Sequence, residues 1–164
     1  MDSNKDDLKI LYVDLDGVVA DFREYISSRS NFEIDFSSYE GKNQAEVERV
    51  CKENSRLFYH LKYLEGSIEA VEVLRSRNKY DIYFLSKPMW IVPESYTDKR
   101  LWIEKHFGEW AYNKLILSAH KNLNLGDYII DDTLNAGVDK FQGEHIHIFT
   151  PKFPDWDSVL KYLP

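Results

Sequence analysis

Three features of the sequence predict an α/β fold, with a parallel sheet covered by helices on both faces and a small helical insertion after the first strand. Short apolar runs alternate with segments of helical period along the chain, the pattern of a parallel sheet with helical crossovers. Two of these runs, LKILYVD at 8–14 and DYIID at 127–131, end in aspartates. The stretch 21–65, polar and rich in aromatics, interrupts the alternation directly after the first run.

The elements follow in order. The first strand spans 8–14 and leads into a helical stretch around 20–30. A polar and aromatic region from 31 to about 65 contains a helix over 43–56, and Gly66 marks the return. From Ser67, Ile68, Val71 and Leu74 fall at helical spacing with Glu69 and Glu72 outward. A strand at 81–86 follows, then a helix at about 97–107 carrying Leu101, Trp102 and Phe107. Strands at 114–117 and 127–131, a short helix near 135–141 and a strand at 145–149 come next. A final helix covers 155–163, with Asp155 as its cap. Residues 1–20 and 66–164 form the predicted core, and 21–65 the predicted cap.

Composition bounds the function. At 164 residues the chain is long enough for one domain with a true core. A formal charge of -7 argues against a nucleic-acid polymer as partner. No run of 18 apolar residues suggests a membrane span, and the start MDSNKDDLKI lacks the apolar stretch of a secretory signal. Cys51 is the single cysteine, which points to the reducing cytoplasm.

The chemistry is concentrated at strand ends. Asp14 and Asp16, two residues apart, face one side where the first strand stops. Like unit charges about 4 Å apart repel by roughly 4 kcal/mol at an effective dielectric near 20, so such a pair favours a hard divalent cation with oxygen ligands. Asp16-Gly17 as a hairpin turn and DLDG as a calcium-loop fragment are the competing readings. The second fails on spacing, and a matching pair, Asp131 and Asp132, weighs against the first. That pair could instead cap a helix starting near Leu134. In an open parallel sheet, ligands bind beyond the carboxyl ends of the strands, so two acid-tipped neighbours would build one cluster. Ser86 ends the 81–86 run and can donate to a phosphate oxygen. A phosphate also needs a cation; Lys121, just past a strand end, is the first candidate, and Lys99 and Lys87 are the next. Aromatics in the insertion, among them Phe22, Phe36, Tyr39 and Phe58, can form its own core or line a slot for a flat ring. His145 and His147 alternate on a strand and read as one pointing inward and the other outward to neighbours, or as both decorating an edge strand, rather than as metal ligands.

An apolar strand ending DxDG, a strand ending in Ser, a downstream Lys and a strand ending DD resemble the four motifs of the haloacid dehalogenase superfamily of phosphohydrolases, with their Rossmannoid sheet. More narrowly, DLDGVVADF, LFYHLKYLEGSIEAV, SYTDKRLWIEKHFG and YIIDDT resemble the 5'(3')-deoxyribonucleotidases. The resemblance implies Asp14 as nucleophile and Asp16 as general acid and base. It implies magnesium (Mg2+) held by Asp14, the Asp16 carbonyl and Asp132, with Asp131 behind them. Ser86, the Gly17 amide and Lys121 would grip the phosphoryl group, with Lys99 further out; Lys87, a further substrate-binding candidate, could replace a lost positive charge or change how substrate enters. The implied partner is a small phosphomonoester, a nucleoside monophosphate, with room for a homodimer. Two departures bear on substrate preference: Lys87 stands where the mammalian-type pattern has a second hydroxyl, and Ala119 or His120 where it has an arginine.

Overall fold

The computed structural model describes residues 8–164. Residues 1–7, which the sequence reading assigns to the core and searches for a signal, lie outside the described residues. The elements are β1 (Lys9–Val13), α1 (Phe22–Ser27), α2 (Gly41–Glu53), α3 (Leu57–His60), α4 (Ser67–Ser76), β2 (Tyr80–Ser86), α5 (Glu94–Phe107), β3 (Leu115–Leu117), β4 (Tyr128–Asp131), β5 (Glu144–His147) and α6 (Trp156–Tyr162). The five strands form one sheet in the order β3-β2-β1-β4-β5, with every pair parallel.

This order places the reversal of strand progression between β1 and β4, the position where open α/β sheets bind ligands. The register aligns Val13 with Ile130, and the Asp14 amide donates to the Ile130 carbonyl at 3.0 Å. The acidic tips of the two strands therefore emerge side by side.

Alternation along the strands divides the core. Leu11 and Val13 of β1 face a large cluster with Ile130, Ile146 and buried residues of α4, α5 and α6. Tyr12, Leu85 and Ile129 face the other way and pack with Val138 and Phe141. The second face is covered more thinly than predicted, because the helix expected at 135–141 is only a 3-10 turn at Val138–Lys140. Its start is blocked by left-handed backbone at Ala136 (φ 53°) and Gly137 (φ 84°). That conformation has a use: the Ala136 carbonyl accepts the Lys121 amide at 2.7 Å. At Gly137 a Cβ would lie 2.1 Å from the Asn122 side chain, so only glycine fits the turn.

Other elements follow the predicted pattern with shifted ends. α5 begins at Glu94, directly after Pro93 and earlier than the apolar spacing indicated. Asp155 caps α6 through a reciprocal pair with Ser158. The insertion contains α1, α2 and the short α3, a turn of helix that its sequence did not announce.

The insertion leaves and returns through paired segments. Asp21 N donates to Lys62 O, and Leu64 N donates to Val19 O, both at 2.8 Å. The bend after β1 is clamped from the core side by buried donors, Ser67 Oγ to the Val19 carbonyl and Trp156 Nε1 to the Val18 carbonyl, each at 3.2 Å. No helix among the described residues is long and apolar enough to cross a membrane.

Candidate active site

The residues beyond β1, β2 and β4 converge. Asp14, Asp131 and Asp132 offer carboxylate oxygens that all lie within 4.8 Å of one another, and all three are buried. Lys121 sits among them, with Nζ 2.8 Å from Asp14 Oδ1 and 2.6 Å from Asp131 Oδ2. Lys99 is 1 % exposed; it donates to the Ser86 hydroxyl at 2.9 Å and pairs closely with Asp16. The sequence reading put this lysine further out, whereas α5 delivers it into the centre of the site.

The two aspartates at the end of β4 differ in what they have left to offer. Asp131 is used on both oxygens, by Lys121 on one and by the Thr133 amide (2.9 Å) and hydroxyl (3.2 Å) on the other. Asp131 thus shapes a local turn, and no helix begins at Leu134 for it to cap. Asp132 has one oxygen, Oδ2, engaged by Arg23 from α1, through Nε at 3.0 Å and Nη2 at 2.5 Å. Its other oxygen remains for a cation.

Gly17 contributes by what it lacks. Its φ is +81°, and a Cβ there would stand 2.4 Å from Asp132 Oδ2, so any other residue would push the carboxylate away. Its amide, expected on the phosphate, instead donates to the Ala20 carbonyl at 2.8 Å. Lys87 is exposed, with Nζ 5.3 Å from the Tyr39 ring centroid, and it lines the same cavity as Asp14 and Asp132.

Electrostatics divide the roles. Burial raises the Asp14 carboxyl to about 6, against the opposing pull of Lys121 and with a further push from Asp131. Burial likewise raises Asp16, with Lys99 opposing and Asp14 adding. Asp132 is pushed up to about 7 by burial and by Asp14, with Arg23 holding it down. Burial alone would lower the Lys121 ammonium, but Asp14 and Asp131 outweigh it and raise the group, so the lysine stays charged. Crowded carboxylates that resist ionisation are relieved by a divalent cation. The donor set, all hard oxygen with one Asp132 oxygen unengaged and a glycine making room beside it, fits such an ion.

Arg23 and the histidines of β5 were not assigned a part in the site from sequence. His145 and His147 face the same way, their rings 4.8 Å apart, and their Nε2 atoms lie 3.1 and 3.0 Å from the main-chain carbonyls of Asp131 and Asp132. They are not edge decoration: they hold the backbone that carries the acidic pair. The spacing of two on a strand next to β4 was the available signal. For Arg23 there was none, since a helix residue's partner across the fold leaves no trace in local periodicity.

A cavity of about 320 Å³ opens from these carboxylates and Lys121 toward the insertion, where Phe22, Phe36, Tyr39 and Phe58 line it. The rings of Phe22 and Phe58 are stacked with centroids 5.9 Å apart. Ionic and aromatic side chains line the same cavity, with Lys99 Nζ 4.7 Å from the Phe58 ring centroid.

Fold and site together define a phosphohydrolase-type α/β scaffold of the haloacid dehalogenase kind. Solved structures agree on the fold: a haloacid dehalogenase-like hydrolase from Xanthomonas campestris aligns over 95% of this chain and 96% of its own, with TM-score 0.55 and 12% identity. A hydrolase of the same superfamily from Deinococcus radiodurans, solved with bound phosphate and sodium, aligns over 96% of this chain and 88% of its own, with TM-score 0.52 and 13% identity. The family described as "5' nucleotidase, deoxy (Pyrimidine), cytosolic type C protein" matches residues 8–155, and the chain belongs to it. Among its relatives is a protein of Vibrio phage KVP40 provisionally named a 5'(3')-deoxyribonucleotidase, 44% identical over 98% of this chain and 88% of its own length. The mitochondrial 5'(3')-deoxyribonucleotidase of Mus musculus is 28% identical over 93% of this chain and 72% of its own length.

Proposed function

We propose that this protein hydrolyses the phosphomonoester of deoxynucleoside monophosphates. The observation that carries this reading is the single cavity joining a carboxylate and lysine cluster to an aromatic slot, in a chain of the deoxyribonucleotidase family. The cavity size lies within the range for small-molecule sites, and a base stacked on an aromatic ring gains roughly 1–3 kcal/mol.

In this reading Asp14 attacks phosphorus through a carboxylate oxygen while the bond to the sugar oxygen breaks. The departing oxygen takes the proton held by Asp16, whose raised pKa suits it to carry one. A water then attacks the phosphorus of the aspartyl phosphate and gives its proton to Asp16. Inorganic phosphate leaves, Asp14 regains its carboxylate and Asp16 its proton. Lys121 and Ser86 hold the phosphoryl oxygens, and Lys99 keeps Asp16 and Ser86 in register. A divalent cation, Mg2+ in this reading, would be held by Asp14, Asp132 and the Asp16 main-chain carbonyl, and when bound supplies the positive charge that lets a carboxylate meet an anionic phosphate. Residues 21–65 serve as a cap that closes over the substrate. A cytoplasmic setting is supported by the solitary, buried Cys51.

Phosphate release from a panel of deoxynucleotides, ribonucleotides and sugar phosphates tests the reading. Deoxynucleoside monophosphates are expected to be the best substrates; a sugar phosphate turned over in their place would overturn it.

A further inference from the structure

Lys99 enters the site from α5 with its side chain almost wholly buried. An ammonium has three N–H donors and no acceptor. Among the described residues, Lys99 Nζ hydrogen-bonds to two side-chain oxygens, the Asp16 carboxylate and the Ser86 hydroxyl, the latter at 2.9 Å. That leaves one donor without an oxygen. The ammonium lies over the ring of Phe58, 4.7 Å from its centroid. An aromatic face attracts a cation through its quadrupole, most strongly where water is excluded, and Phe58 is itself 2 % exposed. The ring takes the side of the ammonium that the two oxygens leave open.

Phe58 belongs to the insertion, yet its helix is fastened to α5. Asp98, next to Lys99, accepts Arg56 Nε at 2.8 Å on one oxygen and 3.0 Å on the other. One turn further along α5, Trp102 Nε1 donates to the Leu61 carbonyl at 2.8 Å. Beyond it, Lys105 Nζ stands 5.3 Å from the Tyr59 ring centroid. Asp98, Trp102 and Lys105 follow one another at helical spacing, so they share a face of α5. Arg56 and Leu61 directly flank α3. Both ends of this short helix are therefore tied to the helix that carries Lys99, with Phe58 held between them.

We infer that Phe58 is a positioning residue for the reaction: its ring face holds the Lys99 ammonium on Asp16 and Ser86, and α3 works as part of the catalytic core. This rests on the phosphohydrolase reading above. An aliphatic side chain at 58 would fill the same space, but it would leave a donor of a buried ammonium unmet and that side of the charge without attraction. Lys99 could then turn away from its two oxygens. Asp16 would lose the fixed orientation in which it hands a proton to the departing sugar oxygen, and Ser86 its alignment on the phosphoryl group. The cost falls on the chemical step. Phe58 also lines the cavity, and a ring that only stacked on the base would act on bound substrate and transition state alike, which changes KM and leaves kcat.

The test is kcat at saturating deoxynucleoside monophosphate and Mg2+ for the wild type, for Phe58→Leu and for proteins carrying progressively fluorinated phenylalanines at position 58. Fluorine drains the ring face of electron density while changing its volume little, so this set separates the face from the packing. In the fluorinated set kcat should fall stepwise with each added fluorine. The loss should reach about 2- to 30-fold in the fully fluorinated ring and in Phe58→Leu, the range of a cation on an aromatic face from exposed to desolvated. A kcat that stays constant across the fluorinated set overturns the inference: if KM alone moves, the ring serves the substrate, and if only Phe58→Leu loses kcat, the ring serves packing. In either case the nucleotidase reading stands. If the wild type releases no phosphate from any deoxynucleoside monophosphate, the underlying reading fails and takes the inference with it.

Discussion

Asp14 is held by opposing forces: burial disfavours its charge, while Lys121 at 2.8 Å restores it. Replacing it by asparagine keeps the shape and removes the nucleophile, so Asp14→Asn should lower turnover by at least about 10³-fold with an unchanged circular dichroism spectrum. Arg23 acts through another residue. By bonding one oxygen of Asp132 it aims the other, and outer partners of this kind typically govern about 10- to 100-fold in metal affinity. Calorimetric titration of Arg23→Ala with Mg2+, without substrate, should show weakening in that range; equal or tighter binding would mean that Arg23 merely competes for the carboxylate. Asp14, Asp16, Ser86, Lys121 and Asp132 were legible in the sequence because each stands at or just past a strand end, where period and chemistry coincide. Lys99 and Arg23 were harder to place because both sit on helices, and which helix turn meets which strand tip is decided by packing.

At the scale of elements, ion pairs fasten the insertion. Glu46 on α2 accepts the Asn31 amide at 2.6 Å and the Arg49 guanidinium at 2.7 and 3.0 Å. Hydrogen bonds from Arg49, then from Asn31, hold its carboxyl down to about 2, below the ordinary 4.5. Since the folded-state pKa is depressed, the stabilisation is complete above about pH 4.5 and is lost as pH falls through about 2. Thermal melts should show Glu46→Gln less stable than wild type at pH 7, with the gap closing near pH 2. Asp98 on α5 is 1 % exposed and pairs with Arg56, just before α3, at 2.7 Å. Arg56→Ala leaves that carboxylate buried with its partner gone, and urea unfolding should register a lower midpoint than that of the wild type. The order of strands and helices was readable from alternation alone. The segment after Asp132 was not: the Asn135-Ala136-Gly137 sequence is a turn signal, and its left-handed residues serve to hold Lys121.

The whole molecule places a strongly ionic site inside a chain of net charge -7. In the proposed reading an anionic substrate would be met locally, by Lys121, Lys99 and a cation, rather than by the overall field. Chelation should therefore stop phosphate release, and returning Mg2+ should restore it and raise the melting temperature, since a ligand that binds only the folded state stabilises it. The central claim is that strand tips distant in sequence bring Asp14 to the phosphorus of a deoxynucleotide. Rapid acid quench of the wild-type protein turning over a deoxynucleoside monophosphate with Mg2+, followed by peptide mass spectrometry, tests this most directly. Phosphorylation on Asp14 is the predicted result; a phosphoryl group on any other residue, or turnover undiminished in Asp14→Asn, would contradict it.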